Sequence, residues 1–200
     1  MKRQTFIKTA AATAMLCLSL PMAALAAEKQ KIVIMPKLVG IDYYNAVKSG
    51  IDQAAKELPD LEVVWMGPTQ AQVEKQIEMI ESLIPTKPAL IAVAANDPAA
   101  IAPVLKKAKA AGIKVMSWDG DTNFRDFFVN LVDYQEFGTG LADAMAKDIG
   151  GKGEIAIITT SFTAPNQNKW IEAIKKTLAE KHKGVTIVDT RAAGESTEKS

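Results

Sequence analysis

The sequence predicts an α/β protein built from doubly wound parallel sheets, on three observations. Short apolar runs alternate with stretches of helical periodicity at the spacing of βαβ units. Several runs are continuous rather than alternating, as in KIVIM over 31–35, the mark of strands covered on both faces. The runs also end in polar, turn-forming residues. In IKVMSWDGDT, residues 113–122, the apolar stretch reaches Trp118 and gives way to Asp119, Gly120, Asp121 and Thr122. In open α/β sheets ligands sit outside such strand ends, which makes Asp119 the first candidate for a binding group.

Taken in order, the strand over 31–35 precedes a helix with Tyr44, Val47, Ile51, Ala55 and Leu58 at three- and four-residue spacing, stopped by Pro59. A second strand covers 61–66. Residues 68–72 open the next helix, with Thr69 and Gln72 at capping-box spacing, Val73, Ile77, Ile80 and Ile84 as its buried stripe, and Pro85 and Pro88 closing it. A third strand over 89–95 leads through Asn96-Asp97-Pro98 into a helix carrying Ile101, Val104, Leu105 and Ala108, with Gly112 as its C-terminal stop. The strand ending at Trp118 completes four strands and three helices, one doubly wound half. Residues 121–132 read as an extended crossing segment. Asp133 and Glu136 open a helix with Phe137, Leu141, Met145 and Ile149 along one side. A buried strand over 154–160, a helix over 168–182 with Ile171, Ile174 and Leu178 inside, and a strand over 185–189 follow. Residues 196–200 look like the first turn of another helix. Two strands are too few to hold a domain together, so the chain reads as a fragment of a longer one. The expected division is a signal segment at 1–26, a first lobe at 27–129 and a partial second lobe at 130–200.

The signal segment is recognised by its three parts. Lys2, Arg3 and Lys8 form a basic start, residues 10–20 an apolar stretch too short to span a bilayer, and Ala24-Leu25-Ala26 a small-x-small cleavage signal. Cleavage after Ala26 removes three bases and no acid, which moves the formal charge from +1 to −2. It also removes Cys17, the sole cysteine, and with it any disulfide or thiol chemistry. The near-neutral remainder has no basic patch for nucleic acid. The expected location is the periplasm.

The strand ends carry the candidate chemistry. A right-handed doubly wound sheet places the ends of its first, third and fourth strands on one rim, which brings Lys37, Asn96 and Asp119 together. The second half contributes the loop after Thr160, with Asn166 and Gln167. One cation, one carboxylate and several carboxamides facing a cleft suit a polyol, whose neighbouring hydroxyls both donate and accept. Tyr43 adds an aromatic face for the apolar side of a sugar ring.

Each residue has a plainer reading. Asp97 before Pro98 is a helix cap. Asn96 divides between a loop turn and the pocket, Lys37 between solvent and the pocket, and Asp119 between a turn with Gly120 and the site. Asn166 both caps the next helix and faces the cleft. Tyr44 lies in a buried stripe and reads as core. Trp118 and Trp170 read as packing, and His182 between two lysines as solvated. Gly138-Thr139-Gly140 lies inside a helical pattern rather than after a strand, so it reads as close helix packing and not as a dinucleotide loop. With one histidine and no mature cysteine, Cys/His zinc sites and Cys/His catalysis are excluded. A carboxylate-only glycosidase needs a second acid, and none pairs with Asp119. No cofactor or metal is expected, and the protein is not expected to be an enzyme.

Several stretches resemble the periplasmic sugar-binding proteins of the ribose-binding type, above all the autoinducer-2 receptors of Lsr-type importers and the rhamnose-binding proteins. They are KIVIMPKLVG, Tyr43-Tyr44, MGPT at 66–69, ANDP at 95–98, SWDGDT at 117–122 and NQNKW at 166–170. The resemblance covers nearly the whole mature chain. It implies a two-lobed type I periplasmic-binding-protein fold, each lobe a doubly wound parallel sheet and the second incomplete here. It also implies a monomeric receptor that closes on a small sugar-like ligand and docks on an ABC-importer permease in the inner membrane. By resemblance to the autoinducer-2 receptors, their lysine falls on Lys37, their aspartate after tryptophan on Asp119, and their Asp-Gln pair on Asn166-Gln167. Asn166 departs from that pattern and looks like the Asn-Gln-Asn of the rhamnose type, so the ligand stays open between the two. A sensory domain of a regulator with the same fold would need a DNA-binding helix-turn-helix where the signal segment stands.

Overall fold

The computed structural model describes residues 29–195. The expected signal segment at 1–26 and the helix start at 196–200 lie outside the described residues. The elements in order are β1 (Gln30–Met35), α1 (Asp42–Glu57), β2 (Leu61–Trp65), α2 (Val73–Leu83), a 3₁₀ turn (Ile84–Thr86), β3 (Leu90–Val93), α3 (Pro98–Ala110), β4 (Lys114–Trp118), β5 (Phe127–Val129), α4 (Tyr134–Asp148), β6 (Gly153–Thr159), α5 (Pro165–Lys181) and β7 (Val185–Ala192).

All strand pairs are parallel. The first sheet has the order β2-β1-β3-β4-β5 and the second pairs β6 with β7. The order turns around between β1 and β3, so the crevice of an open sheet opens there. Register sets Met35 beside Val93 and Val93 beside Ser117. Those pairings bring the chain segments that follow β1, β3 and β4 out at one rim.

Both faces of the first sheet are covered, as the continuous apolar runs imply. Val33, Met35, Ile91, Val93 and Val115 pack against Ile80 and Leu83 of α2 and against Ile101, Val104, Leu105 and Ala108 of α3. On the opposite face Ala92, Ala94 and Trp118 meet Leu38 and Tyr44. The α3 helix is framed as its sequence suggests. The Asp97 carboxylate accepts from the amides of Ala99 and Ala100. At the other end Gly112 takes φ +86°, the Ile113 amide reaches the Ala108 carbonyl and the Gly112 amide the Lys109 carbonyl, a paired closure that needs a left-handed residue.

The structure corrects several expectations. Thr69 and Gln72 form no capping box: Gln72 precedes α2 without a side-chain cap bond and donates instead to the Gln70 side chain. The crossing segment contains a fifth strand, β5, which joins the first sheet beside β4. The α4 helix buries Gly138, Ala142 and Ala146, while Phe137, Leu141 and Ile149 are exposed. The reason is its partner. A Cβ on Gly138 would lie 2.5 Å from the Ala173 Cβ and 2.7 Å from the Trp170 carbonyl, so α4 and α5 meet along small residues. The expected strand over 154–160 is not buried throughout: Ile155 and Ile157 are half-buried, and Ala156 and Ile158 are exposed. The α5 helix begins at Pro165, which places Asn166 and Gln167 in its first turn instead of in a loop. His182 is not merely solvated, since its Nε2 lies 2.7 Å from Asp143 Oδ1. Among the described residues no helix is long and apolar enough to cross a membrane.

Candidate functional site

The site is built around Asp119, which follows β4 directly. Its φ of +55° lies in the left-handed region that a side chain other than glycine seldom adopts. Aspartate tolerates it better than most residues. Gly120 then presses against the loop after β3: its carbonyl accepts from the Ala95 amide at 2.9 Å, and a Cβ on it would fall 2.5 Å from the Ala95 carbonyl. The turn is therefore clamped, and the carboxylate is only 6% exposed.

Three segments supply its partners. Lys37, from the loop after β1, is 1% exposed and places Nζ 3.5 Å from Asp119 Oδ2. From the first turn of α5, Asn166 donates through Nδ2 to Asp119 Oδ1 at 2.8 Å and accepts from Lys37 Nζ at 2.8 Å. On α1, the Tyr44 hydroxyl donates to Asp119 Oδ2 at 3.0 Å, and that of Tyr43 to Oδ1 at 3.4 Å. The amide orientation of Asn166 follows from chemistry, since its oxygen faces an ammonium and its nitrogen a carboxylate. An acid at 166 would set a second carboxylate against Asp119. Burial, then the negative charge of Asp119, push both tyrosine hydroxyls far above the ordinary phenol range, so both are donors at neutral pH.

Lys37, Asp119, Asn166 and Tyr43 thus converge. Ring Tyr43 stands at the edge of the cluster, 48% exposed and edge-on to Tyr44 at 4.9 Å. Asn96 and Gln167 bond elsewhere. Asn96 donates through Nδ2 to the Lys37 carbonyl at 2.9 Å, which steadies the loop that carries the lysine. Gln167 accepts from the Thr159 hydroxyl and the Thr160 amide and donates to Thr160 Oγ1 at 2.7 Å, tying α5 to the end of β6. Neither side chain bonds to the Lys37 ammonium or the Asp119 carboxylate.

Sequence reasoning missed two contributors. Tyr44 is core, as expected, yet its hydroxyl also serves Asp119. Gln76 is fully buried on α2 and joins the segments that follow β1 and β3: Nε2 donates to the Pro36 and Ala94 carbonyls and Oε1 accepts from the Asn96 amide. Its signal was a polar residue on an apolar helix stripe, three residues after Val73 and four before Ile80. Among the described residues no group of three or more His, Cys, Asp or Glu side chains is placed to hold a metal ion.

The sequence profile of the periplasmic binding protein domain matches residues 32–200. The chain belongs to that family. Its structure is similar to an ABC transporter solute binding protein from Clostridium phytofermentas with bound L-rhamnose, at 30% identity and a TM-score of 0.81 over 86% of this chain and 54% of that one. It is also similar to one from Burkholderia graminis in complex with D-arabinose, at 29% identity and 0.78 over 86% and 59%. LsrB from Clostridium saccharobutylicum in complex with AI-2 shares the fold, at 20% identity and 0.78 over 84% and 55%. The chain therefore spans 54–59% of the length of these proteins. The family is one of solute-binding proteins rather than enzymes, and it is a periplasmic one. The fold is that of type I binding-protein lobes, as the sequence resemblance implies.

Proposed function

We propose that the full-length protein is the solute-binding component of an ABC importer. It takes a monosaccharide or a sugar-like ligand into the cleft between two lobes, over 27–129 and from 130 onward, and delivers it to a permease in the inner membrane. Export through the signal segment at 1–26, with cleavage near Ala26, and action as a monomer in the periplasm belong to the same reading. The observation that carries it is the convergence of Lys37, Asp119 and Asn166 from three separate segments beside the half-open ring of Tyr43. An incoming polyol exchanges its hydroxyls for the bonds these groups make to one another. The carboxylate accepts, the ammonium donates and the carboxamide does both, so a ligand with a misplaced hydroxyl leaves a buried group unpaired at roughly 1–3 kcal/mol. Closure about the crossing segment seals the cleft, and the closed form is what the permease reads.

A neutral monosaccharide is favoured over autoinducer-2. The neutral Asn166 stands where the autoinducer receptors carry an acid, and the two similar structures near 30% identity hold L-rhamnose and D-arabinose. Lys37 and the Asp119 turn support the autoinducer reading. Calorimetry on the full-length protein with L-rhamnose, D-arabinose and autoinducer-2 tests the proposal: saturable binding with the ligand recovered unchanged is expected. Product formation would identify a carbohydrate-active enzyme instead. Asp119→Ala should weaken binding by at least about 2 kcal/mol, the loss of one buried charged partner. Asn166→Asp should strengthen autoinducer-2 binding at the expense of rhamnose if that residue sets the choice.

A further inference from the structure

We propose that Asp121 and Arg125 are a positioning pair that aims Asp119 into the cleft, an inference that rests on the binding role proposed for Asp119. The left-handed backbone at Asp119 needs restraint on both sides. Gly120 supplies one restraint through its seat on Ala95. The other is the Asp121 carboxylate, whose oxygens are saturated by four donors. Oδ1 accepts from the Ser117 hydroxyl, the Thr122 amide at 2.8 Å and Arg125 Nε at 2.6 Å, and Oδ2 accepts from Arg125 Nη2 at 3.0 Å.

The positions of those donors matter. Ser117 is fully buried in β4, two residues before Asp119, whereas Thr122 and Arg125 lie after it. One carboxylate therefore cross-links the two ends of the turn that contains Asp119. Arg125 is itself anchored, with its guanidinium 5.5 Å from the centre of the Phe128 ring on β5. Its neighbour Asp126 accepts from the Val115 amide at 2.8 Å, which fastens the returning chain to β4. Burial opposes the charge on Asp121, but the bonds from Arg125, Ser117 and Thr122 outweigh it and hold the carboxyl below its ordinary range. The brace is thus ionised at neutral pH. Its bidentate geometry fixes direction as well as distance.

The test uses the full-length protein with L-rhamnose and D-arabinose as probes, and reads three quantities. Asp121→Ala should weaken binding of the bound probe by at least about tenfold, within the range for coupled neighbours. Asp121→Asn, which keeps an oxygen for Ser117 and Thr122, should recover part of that loss, and Arg125→Ala should fall between the two. In an Asp119→Asn background Asp121→Ala should add less than about a twofold change, because the residue acts through Asp119. Without ligand, exchange of the Ala95 amide, which bonds to the Gly120 carbonyl, should accelerate by about tenfold in Asp121→Ala while the unfolding midpoint changes little. An equal loss of affinity in both backgrounds would assign Asp121 to the fold alone, and unchanged affinity with unchanged Ala95 exchange would overturn the proposal. If the parent protein binds neither sugar, the functional reading fails, and Ala95 exchange in the Asn and Ala variants still decides whether Asp121 holds the turn.

Discussion

Two β–α–β units of the chain, β1–α1–β2 and β6–α5–β7, follow the same pattern and are used differently. In the first, β1 has a strand on either side and cores on both faces, and Val33 and Met35 are wholly buried. In the second, β6 pairs with β7 alone among the described residues, and its side chains alternate between half-buried and exposed up to Ile158 at 58%. KIVIM and EIAII are nearly the same text to a reader of periodicity. Burial is decided by how many neighbours a strand acquires, which its own residues do not specify. The buried polar groups divide in the same way. Gln76 in the first unit's surroundings is fully buried and satisfies backbone atoms sealed from water, whereas Gln167 in the second, which bonds the Thr159 and Thr160 hydroxyls and the Thr160 amide, is itself only half-buried.

Substitutions sharpen this contrast, beginning with the largest effect. Gln76→Leu leaves two carbonyls and an amide without partners, so urea denaturation should show a loss of about 3 kcal/mol or more, at roughly 1–3 kcal/mol for each buried group. Gln167→Leu should lose clearly less. An equal loss would mean that the two polar clusters are equally sealed. Next, Ile91→Ala in β3 should destabilise by about 2–5 kcal/mol as a cavity in a core closed on both faces. In this 200-residue chain Ile158→Ala in β6 should stay within about 0.5 kcal/mol, as at other surface positions.

The helix contact of the second unit gives a finer test. Gly138→Ala forces a methyl into Ala173 and the Trp170 carbonyl and should destabilise by about 1–3 kcal/mol. Gly140→Ala, two residues on, meets nothing within 4 Å and should stabilise by about 0.5–1 kcal/mol through helix propensity. If both behave alike in thermal unfolding, the small-residue contact is not where α4 and α5 meet. The smallest effects concern acid. Asp121 and Asp143 are both held below the ordinary carboxyl range, Asp121 against burial by Arg125, Ser117 and Thr122, and Asp143 by His182 first. A carboxyl depressed by folding contributes stability that is complete above its unfolded value near 3.9 and disappears as pH falls through the folded value. The stability of Asp121→Asn should therefore decline less steeply than that of the parent below about pH 4. Asp143→Asn should show a weaker version of the same flattening, because that pair is open to solvent and screened.

Legibility followed the same division. The rim of the first sheet was readable because strand ends in a parallel sheet are fixed by topology. Topology alone puts Lys37 and Asp119 on one side of the sheet, and their charged groups lie 3.5 Å apart. Asn166 was readable as a partner, but not the helical turn that presents it, since Pro165 opens α5 three residues earlier than its apolar spacing suggests. Asn96 and Gln167 were readable as polar groups near the rim, but not as braces for the loops that carry other residues. The direction in which a carboxamide points depends on which backbone groups lie unpaired nearby, and those come from distant parts of the chain.

By itself the sequence determined what short-range physics controls: the alternation of strands and helices, the Asp97 cap and Gly112 stop of α3, and the acid that follows Trp118. Tertiary structure alone decided which face of α4 is buried, that Gln76 is a hub, that β5 joins the first sheet, and that the Tyr44 hydroxyl serves Asp119. Periodicity and capping act within a few residues and are written in neighbouring letters. A helix face, a buried amide or a carboxylate acquires its role only from atoms that folding brings to it from far along the chain.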